Sequence, residues 1–224
     1  METGWLVIAA LLVFLMQPGF LLIEAGSVRT KNSINVAQKN ISDMLICIAA
    51  YSLVGFGIMY GESIGGLFGK GGVKSALEEQ GGWPEQLIFS LAFCAVVATI
   101  VSGAVAERMK LGAYFAGTVA VALVVYPVFG HWAWGNMIIS DNAAFLADMG
   151  FVDHAGGVSI HGLGGLFALM AILFLGPRQG RFDEKGKVLP ISGYSPVLAQ
   201  TGACLLYTSP SPRDATLSRM PSSA

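Results

Sequence analysis

The sequence predicts an all-α integral membrane protein, and three observations carry that prediction. Of its 224 residues, 54% are hydrophobic and only 12% charged, about half the roughly 25% charged content of soluble domains. Mean hydropathy is +0.65, and 13 Lys and Arg balance 14 Asp and Glu to a net charge of −1. Apolar runs also recur along the chain, each near the ~20 residues that a helix needs to cross a bilayer core about 30 Å thick. The composition excludes a disordered tail, a basic nucleic-acid binder and a water-soluble globular domain. The three cysteines lack the spacing of a disulfide scaffold or a zinc module.

The runs lie at 5–23, 41–61, 87–106, 111–139 and 155–177, and a sixth begins near Tyr194. The first is not a signal peptide, because Glu2 stands where a basic segment would be. Pro18-Gly19 within it predicts a kink rather than a break, since neighbouring helices can satisfy the freed carbonyl. The second run is charge-free except for Asp43. The fifth opens just after Asp153, whose carboxylate can cap orphan N–H groups and meet the positive end of the helix dipole.

Charge then sets direction. Loops on one side carry Arg29, Lys31, Lys39, Arg108, Lys110, Arg178, Arg181, Lys185 and Lys187; those on the other carry Lys70 and Lys74. By the positive-inside rule the N-terminus lies outside, and the fifth helix runs from outside to inside.

After about Ala203 the composition changes to CLLYTSPSPRDATLSRMPSSA. This stretch resembles one translated frame of a transposase adapter used in sequencing libraries: Cys204 to Asp214 match its start, Ser218 to Ala224 its far end, and a short barcode fits between. Residues 204–224 are therefore expected to be an adapter-derived artefact, outside fold reasoning. Residues 1–203 are expected to be the N-terminal part of a truncated membrane domain.

Chemistry concentrates in one segment. His161 lies eight residues beyond Asp153, about 12 Å along a helix, which puts an imidazole near the bilayer midplane, where polar groups are costly and functional by default. Gly157, Gly164, Gly165 and Ala168 flank it at helical spacing. The residues alone leave a second reading open, in which His161 only hydrogen-bonds a neighbouring helix. Trp134, Trp132 and His131 fall near the outer end of the fourth helix, where an aromatic belt is expected anyway. Phe89 and Phe93 are one turn apart on the third, a spacing that core packing also produces. Glu24, Arg29, Lys31 and Lys39 form an inner cluster read as architectural, and Cys47 and Cys94 read as small hydrophobes. No nucleotide loop, nucleophile triad or metal-ligand cluster stands out, so neither an enzyme nor a cofactor is expected.

Residues 153–178 resemble the signature of the Amt/Mep/Rh ammonium transporters, Asp, aromatic, Ala-Gly-Gly, spaced small residues and Gly-x-Arg: here Asp153, Ala155-Gly156-Gly157 and Gly176-Pro177-Arg178. Further blocks agree in order along the chain. They are Met16-x-Pro18-Gly19, Glu24-x-Gly26, Arg29-x-Lys31-Asn32 with Lys39-Asn40, then Gly103-Ala104-x-Ala106-Glu107-Arg108, Tyr126-Pro127 and Trp134-Gly135. His154 departs from the pattern, standing where the family usually has an aromatic residue.

The resemblance implies a homotrimer of eleven-helix protomers in a cell membrane (plasma or bacterial inner membrane), each built from two inverted five-helix repeats. The five runs here match the first repeat, with the start of a sixth helix. It further implies that Trp134 and Phe93 bind ammonium in a vestibule by cation–π contact with Phe89 beside them, and that Phe93 also gates the pore. Asp153 would hold the vestibule backbone, and His161 would be one of two pore histidines relaying a proton or hydrogen-bonding ammonia. A sensor of ammonium, reporting to a fused signalling module, is the alternative that residues 1–203 leave open.

Overall fold

The computed structural model describes residues 2–70, 72, 85–139 and 141–208. Lys74 and the segment from Ser209 onward, including most of the expected adapter tail, lie outside the described residues. Among the described residues five helices are long and apolar enough to cross a membrane: α1 (Glu2–Ser27), α2 (Thr30–Tyr60), α3 (Glu85–Val105), α4 (Leu111–Trp134) and α5 (His154–Leu175). A sixth, α6 (Pro196–Thr208), follows.

The third helix is the axis of the bundle: 67% of its span is buried, against 22–33% for the other four. Its small residues Ala92, Ala95 and Ala98 are fully or almost fully enclosed, which lets α1, α2 and α5 pack closely round it. On one side the core is aromatic. Tyr51, Phe56, Tyr60 and Tyr126 are buried together, with Tyr51 and Tyr126 ring centroids 5.6 Å apart. Their hydroxyls are satisfied inside, Tyr51 by Met59 Sδ at 3.0 Å and Tyr126 by the Ser90 carbonyl at 3.2 Å.

Helix boundaries depart from the charge-free runs for identifiable reasons. The second helix starts at Thr30, not near 41, because its polar residues are compensated internally. Lys39 Nζ lies 3.4 Å from Glu24 Oε2 and donates to the Ser102 carbonyl at 2.9 Å. Asn40 and Ser102 donate to the same Glu24 oxygen at 3.1 and 2.7 Å, and Tyr114 donates to Asp43. The fourth helix ends at Trp134 instead of 139, and hydrogen-bonded turns follow. The sixth does not stop near Ala203 but continues to Thr208, two residues short of Pro210, the first residue after it that cannot carry a helix on. It packs along α1, where a Cβ on Gly202 would lie 2.5 Å from the Gly19 carbonyl oxygen, so only glycine allows that approach.

Among the described residues three single π-helical turns interrupt the spans, at Tyr51–Gly55, Val121–Val125 and Gly157–Gly162. The second immediately precedes Tyr126-Pro127 and absorbs the missing donor and ring of the proline. The first two touch each other, and a Cβ on Gly55 would sit 2.4 Å from the Ala122 carbonyl oxygen.

Candidate functional site

At the Trp134 end of the bundle, α3, α4 and the start of α5 enclose a cavity of about 200 Å³. Phe89 and Phe93 reach it from α3, one turn apart, their rings edge to face at 4.8 Å between centroids. Trp134 enters as the last residue of α4, and Asp153 stands just before α5. These four, singled out from the sequence, line one cavity; His161 does not line it. It is exposed, within the π turn of α5. His154 is also exposed, at the first position of α5.

The backbone around Asp153 explains its place. Ala155 (φ 54°) and Gly156 (φ 75°) are consecutive left-handed residues. They swing the chain so that the Asp153 carboxylate accepts from Val158 N at 3.1 Å and Ser159 N at 2.7 Å. Each oxygen caps one orphan N–H at the start of the helix. A Cβ on Gly156 would meet Ile160 Cδ1 at 2.1 Å, so a side chain there is both strained and blocked.

Three polar lining residues escaped the sequence reading: Tyr60, Gln86 and Ser90. Gln86 Nε2 and Ser90 Oγ both donate to the Tyr60 hydroxyl, at 3.1 and 3.3 Å. Gln86 and Ser90 share a face of α3 at i and i+4 with Phe89 beside them, a polar pair inside an apolar run that periodicity could have flagged. The wall behind the cavity is tied by residues distant in sequence. His131, fully buried, bonds the Met59 carbonyl through Nδ1 at 2.8 Å and Ser63 Oγ through Nε2 at 2.9 Å. Ser63 belongs to a short hairpin of β1 (Glu62–Ile64) and β2 (Phe68–Lys70). Asn142 bridges it to the end of α4, donating to the Gly61 and Gly135 carbonyls at 2.9 and 3.1 Å.

Chemically the lining offers aromatic faces and hydroxyls rather than a chelating set. Aromatic faces attract a cation through their quadrupole, and the hydroxyls offer acceptors for N–H donors. The Asp153 carboxylate, with both oxygens occupied by backbone, sets the field without offering a chelating pair. Among the described residues no group of three His, Cys, Asp or Glu side chains is placed to hold a metal.

The sequence pattern of the Ammonium Transporter Family matches residues 4–209. The ammonium transporter Amt2 of Archaeoglobus fulgidus is 38% identical over 208 residues, which are 91% of this chain and 44% of that protein. Ammonium transporter 3 of Dictyostelium discoideum is 38% identical over 210 residues, 93% and 47% of the two chains. Among solved structures, a protein described as Sensor Amt Protein superimposes with a TM-score of 0.88 at 36% identity, covering 93% of this chain and 52% of that one. Mep2 of Candida albicans gives 0.75 at 25% identity, covering 93% and 46%. The chain thus spans half or less of the length of these curated relatives.

Proposed function

The chain belongs to the ammonium transporter family, and from that membership we propose that its parent protein conducts ammonium or ammonia across a cell membrane. The observation that carries the reading is the cavity uniting Phe89, Phe93, Trp134 and Asp153. Ammonium enters against the aromatic faces, loses water and passes Phe93, which acts as the gate. In a narrow dry pore the charged form pays a desolvation penalty, so a proton is released more readily there. A neutral imidazole at His161 accepts or relays that proton, whereas potassium has none to give and no hydrogen bond to donate. Asp153 acts by holding the Val158 and Ser159 amides, not by binding the ion.

In this reading the Trp134 end faces outward with the N-terminus, and residues 1–203 supply one of two repeats of a trimer protomer. The exposed position of His161 supports that assignment, since a second repeat would cover it. Residues 204–224 derive from an adapter and add nothing to the pore. Uptake of labelled methylammonium by cells expressing the uninterrupted parent gene tests the proposal. Uptake above an empty-vector control that falls in His161→Ala is expected; uptake equal to the control would overturn it.

The likeness to a protein described as a sensor favours one second reading, that occupancy of the same site is reported to a signalling module. Reading the parent gene beyond codon 203 separates the two. A kinase-like or cyclase-like extension selects sensing, and a short tail selects transport.

A further inference from the structure

The opposite end of the bundle holds a recess that the transport reading does not use. It has a volume of about 390 Å³ and lies between the α1–α2 turn, the α3–α4 turn and Gln179. Five cations line it: Arg29, Lys31, Lys39, Arg108 and Lys110; the acid among the lining residues is Glu107. Two of the five are already matched. Arg29 Nε pairs with Glu107 Oε1 at 2.9 Å, and Lys39 with Glu24. That leaves Lys31, Arg108 and Lys110. The two lysines are exposed and have no ion-pair partner among the described residues. Arg108 bonds the Gly176 carbonyl through Nη1 at 3.1 Å, but its Nε is buried with no hydrogen-bond partner.

A general inward bias of basic residues explains how many cations lie at this end. It does not explain why three unmatched ones meet round one recess, or why the backbone adds to them. The N-termini of α2 and α4 both open there, at Arg29 and Lys110. At the first the Glu107 carboxylate accepts from Arg29 N at 3.2 Å; the second has no side-chain cap and presents orphan N–H donors and a positive dipole end. The C-terminal carbonyls of α3 reach the same place, but Ser102 O is taken by Lys39 Nζ and Val105 O by the amides of Arg108 and Met109. A second recess of about 430 Å³ adjoins through Arg108 and adds Arg181 and Arg178, the latter paired with Glu107 at 3.7 Å. Glu107 itself is held in a left-handed conformation, φ 61°, a strained state that its contacts to Arg29 and Asn32 maintain.

We propose that this recess binds a phosphate-bearing anion, either an anionic lipid headgroup of the adjoining leaflet or a free phosphate compound. The charge of Lys31, Arg108 and Lys110 and the uncapped donors at the start of α4 suit a group with several acceptor oxygens. Val36, Leu111 and Met109 add an apolar lip.

The test uses the 224-residue chain in neutral detergent, with helicity checked by circular dichroism, and native mass spectrometry to read binding of phosphatidylglycerol against phosphatidylcholine. Lys31→Gln with Lys110→Gln is expected to weaken phosphatidylglycerol binding about 30-fold, which is about 2 kcal/mol at 1.4 kcal/mol per tenfold. Lys185→Gln with Lys187→Gln removes the same charge from the same end outside the recess and is expected to change binding less than about twofold. Displacement of the lipid by millimolar inorganic phosphate would identify free phosphate as a ligand; lipid binding that phosphate does not disturb would identify the headgroup. Equal loss in both double variants, equal binding of the two lipids, or no binding of either probe by the unsubstituted chain would overturn the proposal.

Discussion

The cavity at the Trp134 end and the buried polar network at the Glu107 end both contain carboxylates, and they treat them differently. Among the described residues Asp153 accepts from backbone N–H groups, and the walls round it include aromatic rings and hydroxyls. Glu24 and Glu107 meet Lys39 and Arg29, with Asn40, Ser102 and Asn32 completing their shells. An end lined with rings, whose carboxylate is occupied by backbone amides, fits the proposed passage of a cation. An end whose acids are matched by cations holds helices together. The contrast separates substitutions that change ligand handling from those that change stability.

The strongest test of that division is Lys39→Met. It strands the Glu24 carboxylate in a site only 7% exposed, and breaking a buried pair by removing one partner costs about 3–5 kcal/mol. A large fall in the thermal midpoint of the detergent-solubilised protein is expected. Adding Glu24→Leu should restore most of it, because an apolar pair of similar volume is often neutral or stabilising. A Lys39→Met midpoint equal to that of the unsubstituted protein would show that the network does not hold the bundle.

Next in size is Asp153→Ala, which strips the acceptors from the Val158 and Ser159 amides. Losing such partners costs about 1–3 kcal/mol, felt locally at the left-handed turn of Ala155 and Gly156. Hydrogen exchange should accelerate at those two amides and at their neighbours on α5, and hardly at all on α1. Unchanged protection at Val158 and Ser159 would show that the carboxylate does not hold this backbone.

Much of this was legible in the sequence, and the exceptions have physical causes. Charge-free runs located all five spans because water-free surroundings punish uncompensated charge. The same rule misplaced the start of α2, where Lys39 and Asp43 are compensated by Glu24 and Tyr114 from other helices. Pairing across seventy residues, as between Tyr114 and Asp43, leaves no local trace. Asp153 could be assigned as a cap from its position, but the two left-handed residues that let it reach Val158 and Ser159 belong to tertiary structure. Gathering Phe89, Phe93 and Trp134 came from family resemblance rather than from pattern, since aromatic residues at such spacing pack cores equally well. Tyr60 was hidden because its partners Gln86 and Ser90 lie in α3, and His131, read as part of an outer aromatic belt, is instead fully buried against the Met59 carbonyl and Ser63 of the hairpin.

A smaller effect is expected at the aromatic wall. Trp134→Leu keeps an apolar surface but removes the best cation–π partner, worth about 0.5–2 kcal/mol depending on desolvation, or about 2- to 30-fold in affinity. Half-saturation of methylammonium uptake by the parent protein should rise by that factor while the thermal midpoint stays unchanged. A shifted midpoint with unaltered half-saturation would invert the assignment and make Trp134 a packing residue.

The smallest expected effect is a pH dependence at the Glu107 end. Burial pushes the Glu107 carboxyl up, but hydrogen bonds from Asn32 and Arg29 and the Arg29 charge outweigh it and hold the group below its ordinary value of 4.5. A carboxylate whose folded pKa is depressed binds protons more readily when unfolded, so its contribution to stability is fully present above the unfolded value. That contribution is lost as pH falls through the lower folded value. Glu107 has no exposed side-chain surface, while Arg29 is 29% exposed, so salt should weaken the effect only in part. The thermal midpoint should therefore be flat from neutrality to about pH 5 and decline below about pH 4. Glu107→Gln should lower the midpoint at neutral pH and flatten the acid decline, because the titrating group is gone. An acid decline of undiminished size in Glu107→Gln would assign it to other carboxylates and remove Glu107 from the list of groups that hold the α1–α2 and α3–α4 turns together.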